Sequence, residues 1–216
     1  MPVLLAETEA TVARIWAAAT ALRPLFNGRV FCVDTVAPEE LCGHWTEYRR
    51  VVAQMAEPCL FDIMRVRNLA VCGVLIGPGG VAVGRREGPP AYQAGLWQLP
   101  PAGSVDDGAA EPGGASWRAA LLTELREELG IAAADVLGLR ALGLVQHPTG
   151  VLDMGVRIDT GLHGPAILAS HTARGNAEYD RMLVLPPQDV LAHVGSLGGQ
   201  LVPSAGPFLA WAGSRG

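Results

Sequence analysis

TELREELGI, residues Thr123–Ile131, carries three glutamates at positions i, i+3 and i+4 and closes with a glycine and an apolar residue. At roughly 100° per residue, a helix brings the side chains of Glu127 and Glu128 to within about 60° of Glu124. The leucines gather on an adjoining stripe, which comprises Leu121, Leu122, Leu125 and Leu129. The segment therefore predicts a helix that packs on one side and collects negative charge on the other.

Carboxylates at these spacings repel one another, and each pair destabilises an isolated helix by a few tenths of a kcal/mol. No lysine lies between Glu124, Glu127 and Glu128 to offset the repulsion. Two interpretations follow: the glutamates hold a hard divalent cation, Mg²⁺ or Mn²⁺, or they form a solvated acidic face near the end of the helix.

The sequence before the helix reads LPPAGSVD at Leu99–Asp106, followed by a turn rich in glycine and alanine and by Gly114-Ala115-Ser116. With the glutamate helix, this arrangement resembles the Nudix hydrolase family. The family pattern is a glycine, five residues, a glutamate, seven residues, and then Arg-Glu-apolar-x-Glu-Glu-x-Gly-apolar. The second half of the pattern matches at Glu124, Leu125, Glu127, Glu128, Gly130 and Ile131.

Three departures separate this chain from the family pattern. Thr123 occupies the place of the arginine that holds a metal-binding glutamate, and Ala115 occupies the place of the first glutamate. If Gly103 is the first glycine, the loop contains about six extra residues, Gly108–Gly113. Glu111, within these extra residues, is a candidate replacement for the missing carboxylate.

The resemblance implies an α/β fold, a Nudix-like α/β/α sandwich with a mixed sheet. It also implies Mg²⁺ or Mn²⁺ as cofactor, with Glu124, Glu127, Glu128 and a carbonyl group of Gly103 as ligands. Glu124 would then act in catalysis. Glu178 lies in a loop where many relatives carry a further glutamate, so it is the candidate general base or additional ligand.

Substrate binding is expected to involve arginine, because a guanidinium group pairs well with phosphate. Arg85 and Arg86 end a predicted strand, and since neighbouring strand residues face opposite ways, at most one of them faces the substrate. The alternative for both is a surface position. Tyr92 is a candidate for stacking on a base, whereas Trp97 and Trp117 are expected to pack in the core.

The chain has 216 residues, half of them hydrophobic, and a net charge of −5. All 16 basic residues are arginine and they are scattered, which argues against a nucleic-acid-binding surface. The N-terminal sequence has no basic region followed by a long apolar run, so it does not read as a signal peptide. We expect a cytoplasmic protein without a membrane segment. The four cysteines lack zinc-site spacing, and buried free thiols are expected.

Hydrophobic periodicity divides the chain into an N-terminal α/β extension, residues 1–66, and a later domain, residues 67–216, which the resemblance implies is a Nudix-like hydrolase domain. The extension is predicted to contain a helix at Glu7–Leu22, a strand at Arg29–Val36 and a helix at Trp45–Met55. The later domain is predicted to contain these strands and helices: a hairpin of Asn68–Ile76 and Val81–Arg85, strands at Trp97–Leu99, Ala141–Gln146, Leu152–Thr160 and Met182–Leu185, and helices at Ser116–Leu129, Pro187–Val194 and Pro207–Trp211.

The extension itself shows a weaker similarity to Nudix proteins that hydrolyse UDP-sugars. It rests on Leu25–Phe31, Tyr48-Arg49 and Asn68–Val71. The resemblance as a whole predicts a metal-dependent hydrolase of a nucleoside diphosphate linked to another moiety, such as a nucleotide sugar. The alternative is a catalytically inactive Nudix-fold protein that binds a nucleotide or regulates a partner, which Thr123 and Ala115 favour. Since Nudix relatives are often dimers, a homodimer is the oligomeric state to test.

Overall fold

A computed structural model of the chain describes residues 4–22, 24–87 and 93–214. These residues form two compact units. The first contains the chain up to Ala70 together with Ser104–Trp117 and Gln146–Asp153. The second contains Val71–Gly103, Arg118–Val145 and the chain from Met154 onward. The predicted boundary between residues 66 and 67 stays a proposal about domain organisation.

The helices and strands follow one another along the chain in this order: α1 (Ala6–Leu22), β1 (Arg29–Val36), β2 (Leu41–Glu47), α2 (Tyr48–Ala56), α3 (Phe61–Met64), β3 (Leu69–Gly77), β4 (Gly80–Arg86), β5 (Trp97–Gln98), β6 (Ala102–Ser104), β7 (Ala110–Glu111), β8 (Gly114–Ala115), α4 (Trp117–Leu129), β9 (Val136–Gln146), β10 (Leu152–Thr160), α5 (Gly164–Arg174), β11 (Tyr179–Leu185), α6 (Val190–Ser196) and α7 (Ala205–Gly213).

The first unit is built on the antiparallel pair β1 and β2, whose register runs from Arg29 opposite Glu47 to Val36 opposite Leu41. A separate core fills this unit, and its buried residues are Val12, Ile15, Val30, Cys32, Val51, Ala53, Leu60, Met64 and Val66. The extra residues Gly108–Gly113 lie in and around a small hairpin of β7 and β8. The loop insertion therefore has a regular structure of its own.

The main sheet has the strand order β11-β4-β3-β10-β9, with β5 added to β4 and β6 added to β3, and most of its residues belong to the second unit. It is a mixed sheet with helices on both sides, as the α/β prediction requires. Strand β3 is almost continuously buried, which suits a central strand. The turn into β4 uses positive φ at Gly79 and Gly80, a conformation that glycine adopts without strain.

Residues from strands β3, β4 and β5, from helices α6 and α7 and from two connecting segments form the core of the second unit: Cys72, Val74, Val81, Val83, Trp97, Leu99, Val190, Val194, Val202, Ala205, Phe208 and Ala212. Phe208 of α7 packs so closely on the sheet that a Cβ at Gly155 of β10 would overlap its ring. Burial of Trp97 confirms its prediction as a core residue. The last helix is thus part of the core.

One sequence-based prediction of local structure is wrong at its start, and one helix has no counterpart among the predictions. Trp45 belongs to β2, opposite Phe31, and their rings meet edge to face at 5.5 Å, so the predicted helix begins only at Tyr48. Helix α5 was not predicted at all. It begins after His163, whose side chain accepts a hydrogen bond from the Ala166 amide, and it has a proline in its first turn, both of which favour a helix start.

Along the three described ranges, no helix combines the length and the apolar character needed to cross a membrane.

Replacement of Phe208 by alanine is expected to lower the free energy of unfolding by about 3–5 kcal/mol, because it leaves a cavity in the core of the second unit. Urea denaturation followed by circular dichroism measures the change. Leu191→Ala on α6, where the side chain is exposed, is the control and should alter stability by about 0.5 kcal/mol or less. Equal effects of the two substitutions would contradict the position of α7 in the core.

Candidate active site

The glutamates of α4 differ sharply in exposure. Glu128 is buried, with 2% of its surface exposed, Glu124 is half-buried, and Glu127 is exposed. Leu121, Leu125 and Leu129 mark the buried face, which lies toward the Glu128 side of Glu124 and away from Glu127. The carboxylate of Glu128 is therefore in the interior, that of Glu124 is at the edge of the core, and that of Glu127 is in solvent. Glu127 lies 3.6 Å from the guanidinium of Arg126.

Two hydrogen bonds hold the Glu128 carboxylate, and both reach Oε2. The backbone amide of Ala102 donates over 3.1 Å and the hydroxyl of Tyr179 donates over 3.0 Å. Burial raises the pKa of Tyr179 well above its ordinary value, so the phenol remains a neutral donor. Helix α4, strand β6 and strand β11 thus meet at one oxygen atom.

The pKa of Glu128 is raised well above its ordinary value. Burial is the main cause, and the negative charges of Glu124 and Glu178 add to it, while the two hydrogen bonds act in the opposite direction. The structure therefore brings together three of the predicted residues, from helix α4 and from the loop before β11. A cation beside these carboxylates would favour the ionised form of Glu128.

Gly103 lies in β6, directly against Glu124. A Cβ at this position would overlap the Glu124 carboxylate. The absence of a side chain at Gly103 is what allows the carboxylate to occupy its present place. Direct coordination by the Gly103 carbonyl group stays a prediction.

Arg86 faces the carboxylates, since its guanidinium lies 2.6 Å from Oε1 of Glu178 and also donates to Oε1 of Gln98. Its Nε atom is buried and has no hydrogen-bond partner among the described residues. Arg85, the neighbouring strand residue, instead makes two hydrogen bonds of 2.8 and 2.7 Å to the carboxylate of Asp180. The two arginines thus have separate partners, and their roles in substrate binding stay predictions.

The end of α4 is connected to the segment that carries Glu178. Gly130 ends the helix with a φ of 66°, and its carbonyl oxygen accepts a hydrogen bond from Nε of Arg174. The amide of Asn176 donates to the carbonyl oxygen of Glu127 over 2.9 Å. These contacts fix the course of the chain two residues before Glu178, so the position of this carboxylate follows from that of the helix.

The residues that depart from the family pattern are accessible to different degrees. Thr123 is exposed, Ala115 is half-buried in β8, and Glu111 is exposed in β7. The replacement of the missing carboxylate by Glu111 stays a prediction. Tyr92, the stacking candidate, lies outside the described residues.

Sequence reasoning missed two residues of the site. Tyr179 donates a hydrogen bond to Glu128, and Gln98 accepts one from Arg86. No local pattern identifies either residue. Tyr179 lies opposite Arg86 in the pairing of β11 with β4, so only the strand register brings its side chain to the glutamate helix. The one available signal was its position next to Glu178.

No protein-family model matches the chain, and no curated protein matches it. Solved structures do resemble it. DR0079 from Deinococcus radiodurans is 14% identical, with 86% of this chain and 99% of that chain covered and a TM-score of 0.56. The NUDIX domain of Shewanella oneidensis NrtR, complexed with ADP ribose, is 17% identical, with coverage of 72% and 96% and a TM-score of 0.50.

A NUDIX hydrolase from Alicyclobacillus acidocaldarius is 19% identical, with 67% of this chain and 90% of that chain covered and a TM-score of 0.50. The mixed sheet between helices defines an α/β protein. The structural likeness identifies its fold as the Nudix fold, and this confirms the fold that the resemblance implied.

Substitution Glu128→Gln is expected to raise the melting temperature of the metal-free protein at neutral pH. The pKa of Glu128 in the folded state lies above its ordinary value of 4.5. Protonated Glu128 therefore contributes fully to stability below pH 4.5, and this contribution is lost as the pH rises through the folded-state pKa. Glutamine keeps an acceptor for the two donors and carries no charge. In a chain of this size, each kcal/mol shifts the melting temperature by about 2–4 °C.

Thermal unfolding in the presence of a chelator, at pH 7.5 and at pH about 4.5, measures this effect, and the advantage of the variant should shrink at the lower pH. Glu127→Gln is the matched control on the same helix, because its side chain is exposed. A lower melting temperature for Glu128→Gln at both pH values would contradict the raised pKa.

Proposed function

We propose that this chain is a divalent-metal-dependent hydrolase of a nucleoside diphosphate linked to another moiety, with water attacking the diphosphate. The observation that carries the proposal is the buried carboxylate of Glu128 beside the negative charges of Glu124 and Glu178. Such a cluster is costly in a protein interior unless a cation offsets its charge. An all-oxygen set of donors suits Mg²⁺ or Mn²⁺.

Glu124, Glu127 and Glu128 would hold the cation, with the carbonyl group of Gly103 as a further ligand. When bound, the ion would neutralise charge on the diphosphate, polarise phosphorus and lower the pKa of a bound water. Exposure of Glu127 is compatible with a ligand at the solvent side of the cluster, whereas Glu128 would bind from the interior side.

Glu178 is the proposed general base. Its ion pair with Arg86 fixes one carboxylate oxygen at 2.6 Å from the guanidinium, and the other oxygen would take the proton from the attacking water. Glu124 shares the cluster and contributes to catalysis by keeping the ligand set together. Both assignments rest on the electrostatic proximity of these groups to Glu128.

Arg86 is the better placed of the two arginines to bind a phosphate. Its guanidinium pairs with Glu178 of the carboxylate cluster, so a diphosphate bound beside that cluster would lie close to its positive charge. Arg85 would contribute only if a substrate phosphate competed with Asp180 for its guanidinium.

The proposed substrate class is a nucleotide sugar or a similar compound, and the expected partner is therefore a small-molecule nucleotide. The structural relative from Shewanella oneidensis was solved with ADP ribose, which is itself a nucleoside diphosphate joined to a sugar. The weaker similarity of the N-terminal extension to UDP-sugar hydrolases supports the same class. A cytoplasmic location and a homodimer are further predictions.

The alternative function is a Nudix-fold protein that binds a nucleotide without hydrolysing it. Thr123 and Ala115 favour this alternative, because they remove an arginine and a carboxylate from the family pattern. The proximity of Glu124, Glu128 and Glu178 favours the enzyme, since a protein that only binds nucleotides gains nothing from carboxylate repulsion.

Glu127→Gln is expected to reduce metal-dependent turnover at least about a hundredfold, because it removes a proposed ligand. The assay measures product release from nucleotide sugars, ADP-ribose, dinucleoside polyphosphates, coenzyme A and nucleoside triphosphates, with and without Mg²⁺ or Mn²⁺. Glu111→Gln, in the exposed hairpin, tests in parallel whether the insertion supplies a ligand. Absence of turnover combined with saturable ADP-ribose binding would favour the nucleotide-binding alternative.

Gly103→Ala is expected to lower turnover while leaving the melting temperature within a few degrees of wild type. The added methyl group would displace the flexible carboxylate of Glu124, which can move at little structural cost. Gly195→Ala is the matched control, since a Cβ at this helical glycine of α6 meets nothing within 4 Å. Full activity of Gly103→Ala would exclude Glu124 in its present position from the mechanism.

A further inference from the structure

A second group of potential metal ligands lies in the first unit, on the strand pair β1 and β2. Cys32 and His44 are directly opposite each other in the register. The pairing then skips Asp34, because a β-bulge lies between Val33 and Thr35. One ligand atom from each of Cys32, Asp34 and His44 lies within 4.8 Å of the others.

These three residues offer a sulfur, a nitrogen and an oxygen donor. A tetrahedral zinc ion has bonds of about 2.3 Å to sulfur and about 2.0–2.1 Å to nitrogen or oxygen, which places neighbouring donors about 3.5 Å apart. The His44 Nδ1 and Asp34 Oδ2 atoms are 2.9 Å apart and the other two donor pairs lie within 4.8 Å, so side-chain movements would bring the three donors to this spacing. We propose that Cys32, Asp34 and His44 bind a thiophilic divalent ion, Zn²⁺ being the best fit to a thiolate and an imidazole.

Exposure of the three side chains is graded in a way that suits entry of an ion from solvent. Cys32 is 1% exposed, whereas the side chains of His44 and Asp34 are 30% and 55% exposed. The thiol forms the floor of the site, and the imidazole and carboxylate form its rim. Nδ1 of His44 lies 2.9 Å from Oδ2 of Asp34, so the ion would replace an existing polar contact.

Arg67 supplies the surroundings that a metal-bound thiolate needs. Its backbone amide donates to Sγ of Cys32 over 3.2 Å, and its guanidinium donates to the carbonyl oxygen of Asp34. Both the amide and the positive charge favour negative charge on sulfur. Burial has the larger and opposite effect, so the pKa of the free thiol is raised. Metal binding would break the S–H bond, form an S–metal bond and release the proton to solvent.

This donor set differs in kind from the carboxylate cluster of the candidate active site. Three protein ligands leave one position of a tetrahedral ion for a water molecule. Because the ligands come from both strands, the ion would join β1 to β2. Hard Mg²⁺ prefers oxygen ligands and would not compete for the thiolate, so the two sites can be tested separately.

The test is a titration of the chelator-treated full chain with Co²⁺ in the presence of excess Mg²⁺. Binding at Cys32 predicts a thiolate-to-cobalt charge-transfer band in the near ultraviolet, which Zn²⁺ should abolish by displacement. Cys32→Ser should remove the band. Loss of a second-sphere group alone weakens metal affinity about 10- to 100-fold, so His44→Gln should weaken Co²⁺ binding by at least about a hundredfold.

Cys42 and Cys59 are exposed, so the expectation of buried thiols is wrong for these two residues, and Cys42→Ser and Cys59→Ser are the matched controls. Each control should keep the band and the affinity of wild type. Should Cys32→Ser fail to fold, His44→Gln and Asp34→Asn decide the matter, since both alter partly exposed side chains. A missing band, a band that Cys42→Ser removes, or an affinity unchanged by His44→Gln would each overturn the proposal.

Discussion

One interior carboxylate, held by two hydrogen-bond donors, is the constraint on which the candidate active site depends. Oε2 of Glu128 receives the Ala102 amide and the Tyr179 hydroxyl, so a helix, an added edge segment and a sheet strand converge on a single atom. Leaving either donor or the acceptor unpaired in the interior would cost about 1–3 kcal/mol. These bonds therefore restrict how α4 can rotate and slide against the sheet.

The remaining site residues take their positions from this arrangement. The Asn176 amide binds the end of α4 through the carbonyl oxygen of Glu127, and Glu178 follows two residues later. Arg86 then reaches Glu178 from the neighbouring strand. Charges that are far apart in the chain become mutual neighbours because each is fixed to the same helix or to the strand beside it.

Local sequence predicted the elements whose signals are complete within a few residues. The β3–β4 hairpin and helix α4 have strong apolar patterns, and both formed as expected. Trp45 was predicted to be helical because the apolar residues between positions 45 and 55 fit a helical period. In the structure it lies in β2, because this segment pairs with β1. Helix α5 is missing from the predictions because its stripe of large apolar residues is short.

Sequence grouped Glu124, Glu127, Glu128 and Glu178, of which the structure brings Glu124, Glu128 and Glu178 together, and it did not predict which of the helix glutamates is buried. Helix geometry places Glu127 and Glu128 on opposite sides of Glu124, and only the location of the core decides which of them is interior. The proximity of Cys32 to His44 was equally invisible, because twelve positions separate them and the strand register alone brings them together. Long-range pairing accounts for both failures.

The high proton affinity of Glu128 gives the carboxylate cluster the character of an ion exchanger. With Glu124 and Glu178 as neighbours, the cluster reduces its negative charge by taking up either a proton or a metal cation. The proton and the cation would compete for the carboxylate of Glu128, so uptake of the proposed cation would release the proton to solvent. The net charge of the cluster thus depends on the pH and on the concentration of the metal ion in the surrounding solution.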